Sequence, residues 1–386
     1  MFDLIAILLF WCPLALIFYH WVIFPFLLWL WARLAPRKFS PVQRDTPFKI
    51  SVVMAVYNEE AIIAEKMKNL LAMDYPPEQI EILIGSDNST DKTDEIIRSF
   101  NDPRVRLIHY NEQSGKTVVQ NRLLELATGD LVLCTDADSL LSPESLKVMA
   151  DDFLDPRVGV VNPRYQRVNE DGSLAESFYD RWEGKVKELE GRLGAMVGCY
   201  AYANMLRRSL ATPIPDDTIL DDFILGIRPF RSGYDVIMEP RALVVTRAES
   251  EQVEYRRKSR ISAGNLQALL RCYDILSPKY GRKAWVYFSH KVLRMVVPFL
   301  LLFMFIGSAI KIGQPFFTVV FLLQVLSYAA IPLLFVLQGR LRKLLILQYY
   351  LYINIGLVIG YWRYLFRRER FWKKTPRVKA PPPVSG

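Results

Sequence analysis

Sulfur and imidazole are scarce in this chain. Its four cysteines (Cys12, Cys134, Cys199, Cys272) lie far apart with no C-x-x-C pair, and only three histidines occur in 386 residues. That spacing fits neither a disulfide framework nor a zinc site. Repeats and low-complexity segments are also missing, apart from a short proline run at 381–383. A hydrophobic share of 51% is too high for a disordered chain. Acids are scarce at both ends. Residues 51–250 hold 34 of the 40 acids and 22 of the 49 bases, a net of −12, so the flanks carry +21. An acidic middle between basic flanks is not the footprint of a duplex-binding surface, and no nucleic-acid partner is expected.

The flanks explain their own charge. Residues 4–32 contain no Lys, Arg, Asp or Glu, and about 20 apolar residues suffice to cross a bilayer. The stretch has no charged leader and no small-residue cleavage site, so residues 1–35 read as an uncleaved anchor. Arg33, Arg37, Lys38 and Arg44 follow it, which places residue 33 onward in the cytoplasm by the positive-inside rule. Three more apolar stretches lie at 295–310, 316–337 and 344–362, with Lys311 in the first link and Arg340, Arg342 and Lys343 in the second. The expectation is a multi-pass protein of the cell (inner) membrane, with membrane segments over 293–366 and a basic tail over 367–386. The third stretch reads either as a further crossing or as a re-entrant or interfacial segment, because a full crossing would leave the eight bases of residues 363–380 outside.

The middle, 48–250, alternates strand and helix four times: strands at 49–56, 80–85, 105–109 and 130–135, helices at 59–72, 91–100 and 116–127. That order predicts an α/β fold with a doubly wound, parallel-core sheet. Ligands of such sheets bind beyond the carboxyl ends of the strands. Those ends read Tyr57-Asn-Glu59-Glu60, Asp87-Asn-Ser-Thr-Asp91 and Thr135-Asp136-Ala137-Asp138-Ser139. Taken alone, the second of these is equally a turn and helix cap. Asp136 and Asp138, two carboxylates at i and i+2 after a buried strand, repel each other unless a cation joins them. Mg²⁺ or Mn²⁺ held partly through substrate phosphates is the natural choice. Gly115-Lys116-Thr117 mimics the end of a P-loop, but the earlier glycine is replaced by Tyr110 and that reading fails. Lys116 then reads either as a nucleotide contact or as a solvated lysine.

Ser51-Val-Val-Met-Ala-Val-Tyr-Asn-Glu-Glu60, Asp87 to Thr93, Ser114-Gly-Lys116 with Asn121, and Asp136-Ala-Asp138 resemble, in order and spacing, the motifs of family 2 glycosyltransferases with a GT-A fold. The resemblance covers about residues 48–270. It implies that Ala55, Tyr57, Glu59 and Asp87 hold the nucleoside with Lys116 beside the base, and that Asp136 and Asp138 contact the donor diphosphate and its Mg²⁺ or Mn²⁺. Leu220-Asp221-Asp222 resembles the family's acidic catalytic segment, with Asp222 as general base and Asp221 its neighbour. Asp216 and Asp217 fit a solvated loop better. Arg257 and Arg260 stand at the Gln and Arg positions of the Q-x-x-R-W segment of cellulose, chitin and hyaluronan synthases, where an arginine meets the diphosphate. Ile261 replaces its tryptophan, which removes the stacking platform of a processive enzyme. The 251–292 segment also reads as basic interfacial helices against anionic lipid. Trp182 is the candidate acceptor contact.

The expected activity is inverting transfer of a hexose or N-acetylhexosamine from a nucleotide-diphosphate sugar to a lipid-linked or polysaccharide acceptor. The rivals are a processive synthase that translocates its polymer and a nucleotide-binding receptor or transporter subunit without catalysis.

Overall fold

The computed structural model describes residues 2–199, 203–248, 251–336 and 345–366. Two compact units result, one from residues 28–253 and 270–287, the other from the described parts of 2–27, 254–269 and 288–366. The expected tail at 367–386 and the link with Arg340, Arg342 and Lys343 lie outside the described residues.

The chain opens with α1 (Phe2–Phe18) and α2 (Phe24–Leu34), joined by a wide helical turn over Tyr19–Ile23. The turn precedes Pro25, which cannot donate to the helical ladder. β1 (Ile50–Val56), α3 (Ile63–Leu71), β2 (Ile80–Asp87), α4 (Thr93–Ser99), β3 (Val105–Tyr110), α5 (Lys116–Leu126) and β4 (Leu131–Thr135) then alternate. Next come β5 (Ser139–Leu141), α6 (Ser145–Asp152), β6 (Val158–Val168), α7 (Phe178–Arg192), β7 (Ala203–Arg207), α8 (Asp221–Ile227) and β8 (Asp235–Arg247). Five helices end the described chain: α9 (Glu251–Cys272), α10 (Arg282–Val286), α11 (Leu293–Ile310), α12 (Pro315–Val336) and α13 (Leu345–Phe366).

The sheet runs β3-β2-β1-β4-β7-β6-β8-β5. Its first four strands are parallel, with Ile50 of β1 level with Ile80 of β2 and Leu131 of β4. β1 is the near-continuous apolar run that a strand covered on both faces requires. Beyond β4 the sheet departs from a purely parallel plan. β7 enters antiparallel to both β4 and β6, and β5 pairs antiparallel to β8. Because β7 is antiparallel to β4, Ala203 lies beside Thr135 and Arg207 beside Leu131, so the segment after β7 starts at the amino edge of the parallel strands and crosses back before Asp221 meets Lys116.

Residues 35–45 lie against the same unit. Arg37 is buried and reaches Asp155 at 2.5 Å and Asp235 at 2.9 Å. Arg44 reaches Asp130 at 2.6 Å. Lys283 donates to the carbonyls of Gly233 and Tyr234. Arg37 and Lys283 therefore place their charges against partners inside the protein, while the Arg44–Asp130 pair lies at its surface.

In the other unit α1 and α11 pack antiparallel. Asp3 meets Lys311 at one end, and Tyr19 and His20 meet Ser289 at the other. Gly307 makes the contact tight, because a Cβ there would sit 2.9 Å from the Ala6 carbonyl oxygen. Tyr361 of α13 donates to the Met295 carbonyl and packs with Met295 and Leu357, against which Leu266 and Leu269 of α9 also rest. Among the described residues two helical stretches, Asp3–Leu34 and Arg282–Ile310, are long and apolar enough to cross a membrane, while Pro315–Ala330 is apolar but shorter.

Candidate active site

The site is assembled from the loops after β1, β2 and β4, the start of α5 and the start of α8. Asp87 ends β2 and is fully buried. One of its oxygens accepts from the Ser114 backbone N–H and hydroxyl, the other from the Gly115 N–H. Asp87 thus fixes the turn that starts α5. Gly115 has φ +101°, a backbone position that only glycine takes without strain. Asp91, by contrast, caps its own loop: it accepts from the Thr93 N–H and hydroxyl. The two ends of the Asp87–Asp91 motif therefore hold different loops: Asp87 the start of α5, Asp91 its own turn and, through the Glu60 N–H, the β1 loop.

The β1 loop is locked onto that motif. Asn58, at φ +54°, accepts from the Thr90 N–H, and the Glu59 N–H donates to the Thr93 hydroxyl. Ala55, Tyr57 and Glu59 are each half-buried at this edge.

Lys116 is the centre of the arrangement. Its ammonium lies 2.9 Å from an Asp136 oxygen and 3.1 Å from an Asp221 oxygen, and its side chain is 18% exposed. Burial disfavours that charge, but Asp136 and Asp221 overcome the cost and hold the lysine pKa above its ordinary value. The solvated-lysine alternative is thereby set aside. Asp222 follows Asp221 in the first turn of α8. Burial and the neighbouring Asp221 carboxylate push its pKa up to about 6, against an opposing pull from Lys116.

Thr117, Asn121 and Lys66 support this geometry. Thr117 donates to the Thr218 carbonyl. Asn121 donates to the Ile214 carbonyl and to Asp216, and accepts from the Ile214 N–H. Together they clamp the segment that leads into Asp221. Lys66 of α3 is wholly buried behind the β4 loop. Its signal was present in the sequence: Ile63, Lys66, Met67 and Leu70 share one helical face, and the other three are core residues. Asp217, read as solvated, is mostly exposed but carries a two-point contact from Arg271.

Asp136 and Asp138 flank the buried Ala137, and both keep some exposure. No group of three or more His, Cys, Asp or Glu side chains able to cage a metal occurs among the described residues. Two hard carboxylates on one strand-end loop suit Mg²⁺ or Mn²⁺ whose remaining ligands come from phosphate and water. Trp182 lies on α7, its ring 6.0 Å from that of Tyr179, whose hydroxyl donates to Glu183. Arg257 and Arg260 lie on α9, in the unit that contains α1 and α11.

The fold is thus a mixed α/β sheet whose parallel half ends in three acidic loops, with a lysine joining two acidic segments. The comparisons name the family: residues 51–212 match the model "Glycosyl transferase family 2", and the chain carries a domain of that family. A beta-monoglucosyldiacylglycerol synthase of Nostoc sp. is 28% identical over 268 residues, covering 65% of this chain and 56% of that protein. A poly-beta-1,6-N-acetyl-D-glucosamine synthase of Staphylococcus epidermidis is 27% identical over 202 residues, covering 50% and 48%. The chain thus spans about half the length of the curated relatives it matches. The fold resembles that of a mannosyltransferase from Pyrobaculum calidifontis, solved with GDP-Man and Mn²⁺, with a TM-score of 0.70 at 20% identity over 96% of this chain and all of that one.

Proposed function

We propose that the protein is a membrane-bound, inverting glycosyltransferase of glycolipid or polysaccharide synthesis. It moves a hexose or N-acetylhexosamine from a nucleotide-diphosphate sugar to a lipid-linked or glycan acceptor. The observation that carries this reading is the Lys116 bridge, which ties the Asp136 loop to the segment bearing Asp222. One lysine thereby brings a diphosphate-binding loop and a proton acceptor into one site. The two curated relatives named above make a glycolipid and a polysaccharide, which supports that acceptor class.

In this mechanism the β1 edge (Ala55, Tyr57, Glu59) and the Asp87-anchored turn hold the nucleoside, with Lys116 beside it. Asp136 and Asp138 would hold Mg²⁺ or Mn²⁺, which when bound neutralises charge developing on the leaving diphosphate. Arg257 and Arg260 are assigned to that diphosphate as well, since a guanidinium fork suits phosphate. Asp222 takes the proton of the acceptor hydroxyl, whose oxygen attacks the anomeric carbon opposite the leaving group. Its raised pKa suits a base that works near neutrality. Trp182 is assigned to the acceptor. The apolar helical stretches anchor the protein, with the α/β unit on the cytoplasmic face.

The test is a screen of nucleotide sugars for release of free nucleoside diphosphate by the purified protein, with Mg²⁺, Mn²⁺ or chelator. Release that requires a divalent ion and is lost in Asp138→Asn is expected. Asp222→Asn should stop transfer and still bind donor. Donor binding without turnover of any nucleotide sugar by the wild type, given a glycolipid or glycan acceptor, would refute the assignment as an enzyme.

A further inference from the structure

The acidic loop after β4 has a second cation, and it comes from behind. Lys66 has no solvent exposure. Its ammonium donates to the Thr135 hydroxyl at 2.9 Å and to the Ser139 carbonyl at 2.7 Å, and it lies 3.4 Å from the Ser139 hydroxyl. Thr135 and Ser139 are the residues on either side of Asp136-Ala137-Asp138. The same two hydroxyls lie 3.2 Å apart, and the Ser139 hydroxyl donates to the Asp136 carbonyl. The loop is therefore closed by a ring of polar contacts with one nitrogen at its hub.

Burying an ammonium is costly, and a lysine that only filled space would be better replaced by methionine. Burial pushes the Lys66 pKa down to about 7, while the negative charges of Asp136 and Asp138 oppose that fall. What the geometry fixes is its place: the Lys66 nitrogen holds the two residues that bracket the Asp136–Asp138 pair. Lys116 cannot do this work alone, because it approaches Asp136 from the α5 side and also serves Asp221.

We infer that Lys66 is a positioning residue for the metal-binding loop: by gripping Thr135 and Ser139 it fixes the turn that presents Asp136 and Asp138 together to the donor's divalent ion. This inference rests on the proposed glycosyltransferase reading. It concerns shape, so its signature is a change in metal affinity rather than a general loss of folding.

The experiment measures Mn²⁺ binding by the electron paramagnetic resonance signal of the free ion, with full-length protein in detergent and a mixture of UDP and GDP present. Lys66→Met and Thr135→Val are each expected to weaken Mn²⁺ binding about tenfold. Thr135→Val keeps Lys66 in place and serves as the readout where Lys66→Met does not fold. Thr135→Ser, which restores the hydroxyl, should restore the affinity. In turnover, Thr135→Val should raise the Mn²⁺ concentration needed for half-maximal rate and lower the rate at saturating Mn²⁺ far less. If wild type binds Mn²⁺ and a folded Thr135→Val binds it equally well, the role of Lys66 is refuted and the glycosyltransferase reading stands. If wild type binds no Mn²⁺ with either nucleotide, the metal assignment falls and this inference falls with it.

Discussion

Replacing Lys116 by methionine tests the electrostatics of the site most directly. The change keeps the length of the side chain and removes the charge. Each of its two contacts, at 2.9 and 3.1 Å, amounts to about 5 kcal/mol of gross attraction at an effective dielectric near 20. Desolvation takes back most of that sum, so the gross figure is not the effect. What decides the outcome is the set of charges left behind. Asp136 and Asp221 each lie about 3 Å from one nitrogen, so they are at most about 6 Å apart and repel by about 3 kcal/mol once it is gone. Asp222 adds to that crowding. Lys116→Met should therefore cost about 3 kcal/mol, in line with breaking a buried ion pair from one side. For a unit of this size the midpoint of thermal unfolding falls by roughly 6 to 12 °C. The pH dependence identifies the cause. In the variant Asp222, already raised by burial and by Asp221, loses the opposing pull of Lys116 and holds its proton still more tightly when folded than when unfolded. The penalty is then absent below about pH 4, the unfolded value, grows as pH rises through the raised folded value, and is complete by about pH 8. Tryptophan-fluorescence melts in mild detergent at pH 5 and pH 8, with and without Mn²⁺, read this out. Mn²⁺ should recover more stability in the variant than in wild type. A deficit below about 1 kcal/mol, or one equal at pH 5 and pH 8, would refute the reasoning.

Three further outcomes follow from other parts of the structure. The rate should fall as pH drops through about 6, because Asp222 must be ionised to accept a proton, and Asp221→Asn should move that limb to lower pH; an unmoved limb reassigns the base. Arg37→Ala leaves Asp155 and Asp235 without their shared guanidinium and should cost about 3 kcal/mol at pH 7 by denaturant titration. That deficit should shrink as pH falls below the carboxylate range, since Asp155, despite burial, is held well below its usual pKa by Arg157, Ser40 and Arg37. Asp152 is pushed up to about 7 by burial and by Glu239, so its native form is penalised as pH rises from about 4 through 7. Asp152→Asn should accordingly stabilise by about 1 to 2 kcal/mol at pH 8 and by almost nothing at pH 4, and a pH-independent change in melting would show the pair to be uncoupled.

The parallel half of the sheet was legible because its signals are local. Apolar runs at 49–56 and 130–135 meet helical periodicity at intervals shorter than a turn of fold, and the acidic pair at 136 and 138 follows its strand directly. β7 was not legible. It is five residues long and pairs with Leu131–Thr135, some 70 positions earlier, so nothing near it in the sequence specifies its direction. The Lys116–Asp221 contact spans 105 positions and was hidden for the same reason. Lys66 was hidden differently, because a binary reading of the helix counts every lysine as a surface residue. Arg37 and Lys283 were masked by the company they keep: among so many border charges, two with buried partners look like the rest.

The strap over residues 35–45 has a practical and mechanical meaning. A fragment of the α/β unit begun after residue 45 would retain every acidic loop and yet lose Arg37, the Ser40 N–H to Asp155 and the Val42 N–H to the Leu154 carbonyl. Two interior carboxylates would then be left short of their counter-charge at the base of the β6–β8 pair, and the fragment would be weak for a reason unconnected with its chemistry. Tension arriving through the segment that follows α2 would likewise be delivered to Asp155 and Asp235, not dissipated in a slack tether.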